Sequence, residues 1–231
     1  MEPVAVVIPV LNEAESIGFV VGELPGDVVG EVIVVDGGSA DGTPSIAAAA
    51  GARVITAGGR GYGRACADGA AGADPSCRII VFLDGDGADR GDLVERLVAP
   101  VAAGTHDFVL ASRMGAPREP GAMSWHQLFA GWLAGQGMRA LYGVRYTDMC
   151  AYRAIRRDVL ERLDMREMTY GWNIEMQMKC ARMGLRILEL PMPYRVRRGG
   201  ASKVAGSLSG TLRAATRILR TFARVAMDRG K

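Results

Sequence analysis

Apolar and polar positions alternate in blocks along the first half of the chain. Residues 4–8 are a continuous β-branched apolar run, too short for a helix and bracketed by Pro3 and Pro9. Asn12 then caps a helix through about residue 24, with Glu13 and Glu15 in its first turn. Residues 32–35 read as a second strand, Asp41-Gly42-Thr43-Pro44 opens a helix over 45–50, and 53–56 read as a third strand. A helix over 63–72 follows, then a fourth strand over 78–83 that ends in Asp84-Gly85-Asp86-Gly87, a helix over 92–103 and a strand over 108–111. Strand–helix alternation with strands apolar on both sides predicts an α/β fold, three layers deep, with a mostly parallel central sheet covered by helices on both faces.

The second half is less regular. Residues 113–122 hold two prolines and two glycines and read as a mobile loop. Helices are expected over 124–141, 157–163 and 173–183, an extended segment over 147–153, and a strand over 185–190 closed by Pro191 and Pro193. From Leu208 onward, Leu208, Leu212, Ala215, Leu219, Phe222 and Ala226 recur at helical spacing, with Arg213, Arg217, Arg220 and Arg224 on the other face. No repeat and no linker interrupts the chain, so one domain is expected over 1–205, extended by an amphipathic, basic helix over 206–231.

The composition adds limits. At 231 residues, 49% hydrophobic and 23% charged, the chain is neither disordered nor collagen-like, and its core is large enough to need no disulfide or zinc staple. The net charge of +3 is unevenly spread: residues 195–231 carry +9 and residues 1–194 carry −6. Cys66, Cys77, Cys150 and Cys180 show no metal spacing and read as buried, reduced thiols of a cytoplasmic protein. No secretory signal is recognisable, and the most apolar stretch, 123–141, is broken by polar residues, so no membrane span is expected. The basic helix fits either a peripheral contact with the inner face of the cell membrane or a helix packed on the domain with solvated arginines. No aromatic-and-basic pattern accompanies it, so nucleic acid is not an expected partner.

In an open parallel sheet, ligands bind beyond the carboxyl ends of the strands. Each of the first four strands delivers a polar or glycine cluster there: Pro9 to Glu13, Asp36 to Thr43, Gly58 to Gly63, and Asp84-Gly85-Asp86. Two carboxylates separated by one glycine can hold a hard divalent ion that neutralises a diphosphate. An EF-hand does not fit, because Ala88 and Asp89 stand where an oxygen ligand and a glycine belong. The glycines at 58–63 do not make a dinucleotide fingerprint, because Cys66 stands at the last glycine position. They allow close backbone approach to a nucleotide beside a helix N-terminus.

Pro9…Asn12-Glu13, the run from Val34 to Thr43 and Asp84-Gly85-Asp86 resemble the three N-terminal signatures of family 2 glycosyltransferases with the GT-A fold. The segment from Tyr194 to Lys203 resembles the Arg…Gly-x-Ser-Lys stretch of the dolichyl/polyprenyl-phosphate mannosyl- and glucosyltransferase branch. The resemblance covers about residues 4–205. It implies a nucleotide-diphosphate sugar donor (a UDP- or GDP-hexose), Mg²⁺ or Mn²⁺, inversion at the anomeric carbon and a polyprenyl phosphate acceptor. Carried over, Pro9, Asn12, Glu13, Asp36, Gly38 and Gly61 would line the donor pocket, and Asp84 and Asp86 would hold the metal and diphosphate. Arg197, Ser202 and Lys203 would close over the phosphates. Arg113 and Arg153 are expected on the acceptor side. Asp148 and Glu175 join Asp86 as expected catalytic carboxylates: a hydroxyl acceptor needs one of the first two as base, whereas an ionised phosphate needs none. Two positions depart from the branch pattern. Gly37 replaces a second aspartate, which leaves base specificity open, and Ala88 replaces a polar residue near the metal. The same transfer to a hydroxyl of a soluble or lipid acceptor, and a non-catalytic nucleotide-sugar-binding module, are the other readings. Nucleotidyl transfer would require a Gly-rich loop with a basic residue after the first strand, which 9–13 lacks.

Overall fold

The computed structural model of the chain describes residues 3–199 and 208–228. Its elements run β1 (Val4–Val10), α1 (Ile17–Gly22), β2 (Glu31–Asp36), α2 (Thr43–Ala49), β3 (Arg53–Thr56), α3 (Tyr62–Gly72), β4 (Ile79–Phe82), α4 (Val94–Ala102) and β5 (Phe108–Ser112). Then follow α5 (Trp125–Tyr142), β6 (Arg153–Arg156), α6 (Arg157–Arg162), α7 (Trp172–Arg182), β7 (Ile187–Pro191) and α8 (Leu208–Met227). The strands form one sheet in the order β3-β2-β1-β4-β6-β5-β7, parallel throughout except for β6, which runs antiparallel to both β4 and β5.

The side chains of β1 alternate between two cores. Val4, Val6 and Ile8 pack with Ile17, Val20, Leu97 and Val98 on one face, while Ala5 and Val7 join Cys66, Phe82, Trp172 and Met176 on the other. The first face is covered by α1, α2 and α4, and the second by α3 and α5–α8, which gives the three layers expected. Phe82 and Trp172 meet edge to face, with ring centroids 5.9 Å apart. All four cysteines are free and buried, as expected. Among the described residues, no helix is long and apolar enough to cross a membrane.

Three local expectations change. Asn12 does not cap a helix: it takes a left-handed conformation (φ 53°) in a loop, and α1 starts only at Ile17. The reason is that Asn12 Oδ1 accepts the Ala40 N–H (2.8 Å), and Ser39 Oγ accepts the Asn12 N–H (2.8 Å), so the loop after β1 is tied to the loop after β2. The 113–122 segment is held against the chain after β7, since Glu119 N–H donates to the Tyr194 carbonyl and Tyr194 N–H to the Pro117 carbonyl.

The third change concerns α8. It packs on α7 with Ala214 and Val225 buried, Ile218 and Phe222 half-buried, and Leu219 outward. The side chains of 208–213 lie outside the described residues. The inward face is rotated from the expected apolar stripe because buried carboxylates draw polar residues of the helix toward the domain. Glu167 accepts Arg217 Nε (3.0 Å) and Thr221 Oγ1 (2.9 Å), and Arg224 Nη2 lies 3.6 Å from Glu167 and 3.4 Å from Glu175.

Glu167 is a buried carboxylate that accepts from the Thr169 N–H, Thr221 Oγ1 and Arg217 Nε, and its removal leaves those donors of the fold without an acceptor. Glu167→Ala is therefore expected to destabilise the protein by about 2–3 kcal/mol in chemical denaturation. A loss below about 0.5 kcal/mol would mean that the clasp adds nothing beyond an ordinary surface contact.

Candidate active site

The carboxyl ends of β1, β2, β3 and β4 open onto one cavity of about 740 Å³. Pro9, Glu13, Gly38, Gly61, Asp84, Asp86 and Arg197 all line it, so most of the expected donor-side residues come together. Tyr62, Tyr170 and Asn173 complete one side, and α8 contributes Ala214 and Ile218 to the wall. The sequence pattern of α8 gives no sign of that last contribution. Asn12 and Asp36 stand behind the lining. The carboxylate of Asp36 accepts the N–H groups of Gly38 and Ser39 (3.1 Å each), which shapes the Gly37–Gly38 turn at the cavity edge.

The acidic turn after β4 is built tightly. A side chain at position 85 would bring its first carbon to 2.7 Å from Val10 Cγ1, so only glycine lets the turn lie on β1. Ser16 Oγ donates to the Gly85 carbonyl (2.7 Å) and fixes it there. The carboxylates of Asp84 and Asp86 consequently flank a pinned residue. A third carboxyl, Asp89, lies buried in the same turn, with Cys150 Sγ 3.6 Å from its Oδ1. Burial and the neighbouring carboxylates raise both Asp84 and Asp89, the latter to about 8. Asp89 was legible only as a mismatch to a calcium loop, although its place two residues after Gly87 in an acidic run was the available signal.

Cations gather around this turn. Arg197 Nη2 bonds both oxygens of Glu13 (3.1 and 3.0 Å), while its Nη1 lies 3.8 Å from Asp86 Oδ2. Backbone bonds set it there: Arg195 N–H donates to the Ala88 carbonyl and Arg198 N–H to the Asp86 carbonyl, both at 2.9 Å. The segment after β7 thus lies along the acidic turn. Ser202 and Lys203 lie outside the described residues.

Among the residues expected to meet the acceptor, Asp148 is buried and grips Arg113 with two charge-assisted bonds, Nε–Oδ2 and Nη2–Oδ1 at 2.6 Å each, and also accepts the Arg113 N–H (2.9 Å). Burial opposes the charge on Asp148, but the Arg113 bonds outweigh it and hold the carboxyl below its usual range. Arg113 stacks over Tyr194 at 5.2 Å. Glu189 fixes the same loop by accepting the N–H groups of Thr147 (3.0 and 2.9 Å) and Asp148 (3.1 Å).

Like Asn12 and Asp36, the Arg113–Asp148 pair does not line the cavity, and two further expected site residues, Glu175 and Arg153, do not reach it. Glu175 is 1% exposed; its Oε2 accepts the N–H groups of Arg166 (3.0 Å) and Glu167 (2.6 Å), and its Oε1 pairs with Lys179 (3.1 Å) and Arg224. It is placed as a fold clamp, since the helical turn that carries it points it toward α8. Arg153 is fully buried, with Nη1 donating to the Asn173 carbonyl (3.1 Å) and Nη2 to that of Cys150, so its guanidinium supports the loop from beneath.

The donor set suits a hard divalent cation, because the acidic turn offers carboxylate oxygens whose mutual repulsion a cation relieves. Among the described residues no three His, Cys, Asp or Glu side chains form a metal cage, so phosphate oxygens and water would complete such a site.

Residues 5–164 match the family described as Glycosyl transferase family 2. An uncharacterized glycosyltransferase of Mycobacterium tuberculosis is 34% identical over 219 residues, covering 91% of this chain and 94% of its own length. The undecaprenyl-phosphate mannosyltransferase of Micrococcus luteus is 32% identical over 226 residues, 90% of this chain and 89% of its own. The fold matches that of glucosyl-3-phosphoglycerate synthase from Mycobacterium tuberculosis, solved with Mn²⁺, UDP-glucose and phosphoglyceric acid, with a TM-score of 0.78 at 24% identity over 97% of this chain and 80% of that one. The chain belongs to glycosyl transferase family 2 and is a glycosyltransferase of the GT-A fold.

Proposed function

We propose that this glycosyltransferase moves a hexose from a nucleotide-diphosphate sugar to a polyprenyl phosphate, with inversion at the anomeric carbon and with a divalent metal. The observation that carries the reading is the Asp84/Asp86 pair lining one cavity with Arg197, which spans Glu13 and Asp86. Asp84 and Asp86 would hold Mg²⁺ or Mn²⁺, which supplies positive charge to the departing diphosphate. Arg197 adds to that charge from the opposite side of the turn, and Ser202 and Lys203, next along the chain, fit the same task. Gly38 and Gly61 let the backbone approach the nucleoside, and Pro9 and Glu13 shape its pocket.

The acceptor reading is supported by the state of the two carboxylates expected to act as base. Asp148 is spent on Arg113, and Glu175 on Arg166, Glu167, Lys179 and Arg224. A hydroxyl acceptor would lack a free base from either, whereas a phosphate monoester is already ionised near neutral pH. Its oxygen attacks the anomeric carbon as the bond from that carbon to the diphosphate breaks, in one in-line step. The kinship with an undecaprenyl-phosphate mannosyltransferase supports the same class of acceptor. Asp148 then serves to aim Arg113, and no proton passes through it.

In a thermal-shift panel of UDP- and GDP-hexoses, one nucleotide should stabilise the protein, and more so with Mn²⁺ present. Asp86→Ala should abolish the metal-dependent part while leaving the unliganded melting temperature close to wild type. Arg197→Ala should weaken donor affinity about tenfold or more, the loss of one charge-assisted contact. An unchanged metal response in Asp86→Ala would remove the metal assignment.

The pH profile of kcat/KM with a polyprenyl phosphate should rise with the second ionisation of the acceptor, near pH 6. Asp148→Asn should raise KM for the acceptor and keep that limb. Disappearance of the limb in Asp148→Asn would instead make Asp148 the base.

A further inference from the structure

Helix α5 is built the opposite way round from a helix that covers a soluble core. Its inward positions are small: Gly131 faces the backbone of Thr147 and Asp148, Gly135 the Tyr146 carbonyl and Gly137 the ring of Phe222, beside the buried Met138. Its large residues point out. Trp125, Phe129 and Trp132 are 69%, 54% and 55% exposed, and Leu133 and Leu141 are exposed with them. Phe129 and Trp132 stack on each other with centroids 5.9 Å apart. Burying such side chains is favourable, so a helix that gives its interior to glycine and its exterior to aromatic rings is suited to a second apolar phase.

The charges say which phase. From Trp125 to Tyr142 the helix holds no aspartate or glutamate, Arg139 is exposed on it, and Arg118 and Arg145 are exposed on its two flanks. Tryptophan and phenylalanine with a cationic rim match the headgroup boundary of an anionic bilayer. A two-fold contact with a second copy would bring the same basic rim against itself, with no carboxylate on the helix to answer it. The location fits as well. The inward side of α5 rests on Thr147 and Asp148, the loop that grips Arg113, so the exposed face lies one helix thickness from the side expected to take the acceptor.

We infer that the outward face of α5, centred on Trp125, Phe129 and Trp132, seats the protein on an anionic membrane surface, so that a lipid phosphate reaches the cavity directly from the bilayer. The delivery half of this statement rests on the lipid-acceptor reading; the seating half does not. This contact differs from the one expected of the C-terminal basic helix, which turns Ala214, Ile218, Phe222 and Val225 to the domain and leaves Leu219 exposed.

The chain has three tryptophans, and the third, Trp172, is buried, so fluorescence reports on α5. The wild-type chain is mixed with vesicles of phosphatidylcholine containing phosphatidylglycerol, with and without brominated acyl chains, and vesicle sedimentation is measured in parallel. Binding with bromine quenching is expected, and Phe129→Ser/Trp132→Ser should lower the sedimented fraction about tenfold while its melting temperature holds. Binding without quenching, or equal binding by the double variant, would overturn the inference, since the arginine-rich helix would then be the contact. No vesicle binding, together with a dimer in light scattering that the double variant dissociates, would overturn it in favour of self-association. Transfer to a short-chain, water-soluble polyprenyl phosphate is read alongside. If it is retained by the double variant while transfer to a vesicle-embedded long-chain acceptor is lost, both seating and delivery hold. If neither acceptor is used although the vesicles quench, only the acceptor reading fails.

Discussion

Three carboxyl groups crowded into one pinned turn impose the condition that the rest of this site answers. Asp84, Asp86 and Asp89 follow a buried strand, and Gly85 is held on β1 by Val10 and Ser16, so the turn cannot swing into solvent to relieve its charge. Burial and mutual repulsion raise Asp84 and Asp89. Such a turn favours either bound protons or nearby cations, which makes it a suitable locus for a ligand that brings its own cation.

The topology supplies those cations. Because β5 and β7 run parallel to β4, their carboxyl ends emerge at the same edge, delivering Arg113 after β5 and Arg195–Arg198 after β7. Because β6 alone runs antiparallel, the residues that precede it, including Asp148, come to that edge too. Thus one reversed strand sets Asp148 against Arg113. The helical layer under the second face is closed by α8, which is clasped by Glu167 and Glu175 and adds Ala214 and Ile218 to the cavity wall. Fold and site share these contacts, so one face of the C-terminal helix forms part of the cavity wall.

The alternating half of the chain was legible because its strands are short, β-branched and bounded by glycine or proline, and each ends in a polar cluster. The convergence of 9–13, 36–43, 58–63 and 84–86 follows from parallel strands alone, and the structure agrees. Direction of side chains was not legible. Glu175 and Asn173 sit two residues apart at one helix start, yet Asn173 lines the cavity and Glu175 turns to α8, a difference set by helical rotation against partners distant in sequence. Arg153 is expected on the acceptor side, where a cation meets a phosphate; instead it is fully buried, and backbone carbonyls of Cys150 and Asn173 accept from its two terminal nitrogens. The rotation of α8 depended on carboxylates some 50 residues away, which periodicity cannot sense. The aromatic stripe of α5 was visible as a broken apolar run, but only the packing of Gly131, Gly135 and Gly137 says that it faces out.

The central claim is that an ionised phosphate displaces the nucleoside diphosphate in one step at this cavity. Its most direct test is the anomeric configuration of the product, read by nuclear magnetic resonance after incubating the protein with an α-linked nucleotide-diphosphate hexose, Mn²⁺ and a polyprenyl phosphate. A β-linked polyprenyl phosphate hexose is the result this account predicts. An α-linked product would contradict the single displacement, and transfer to a hydroxyl acceptor with none to the phosphate would contradict the choice of nucleophile.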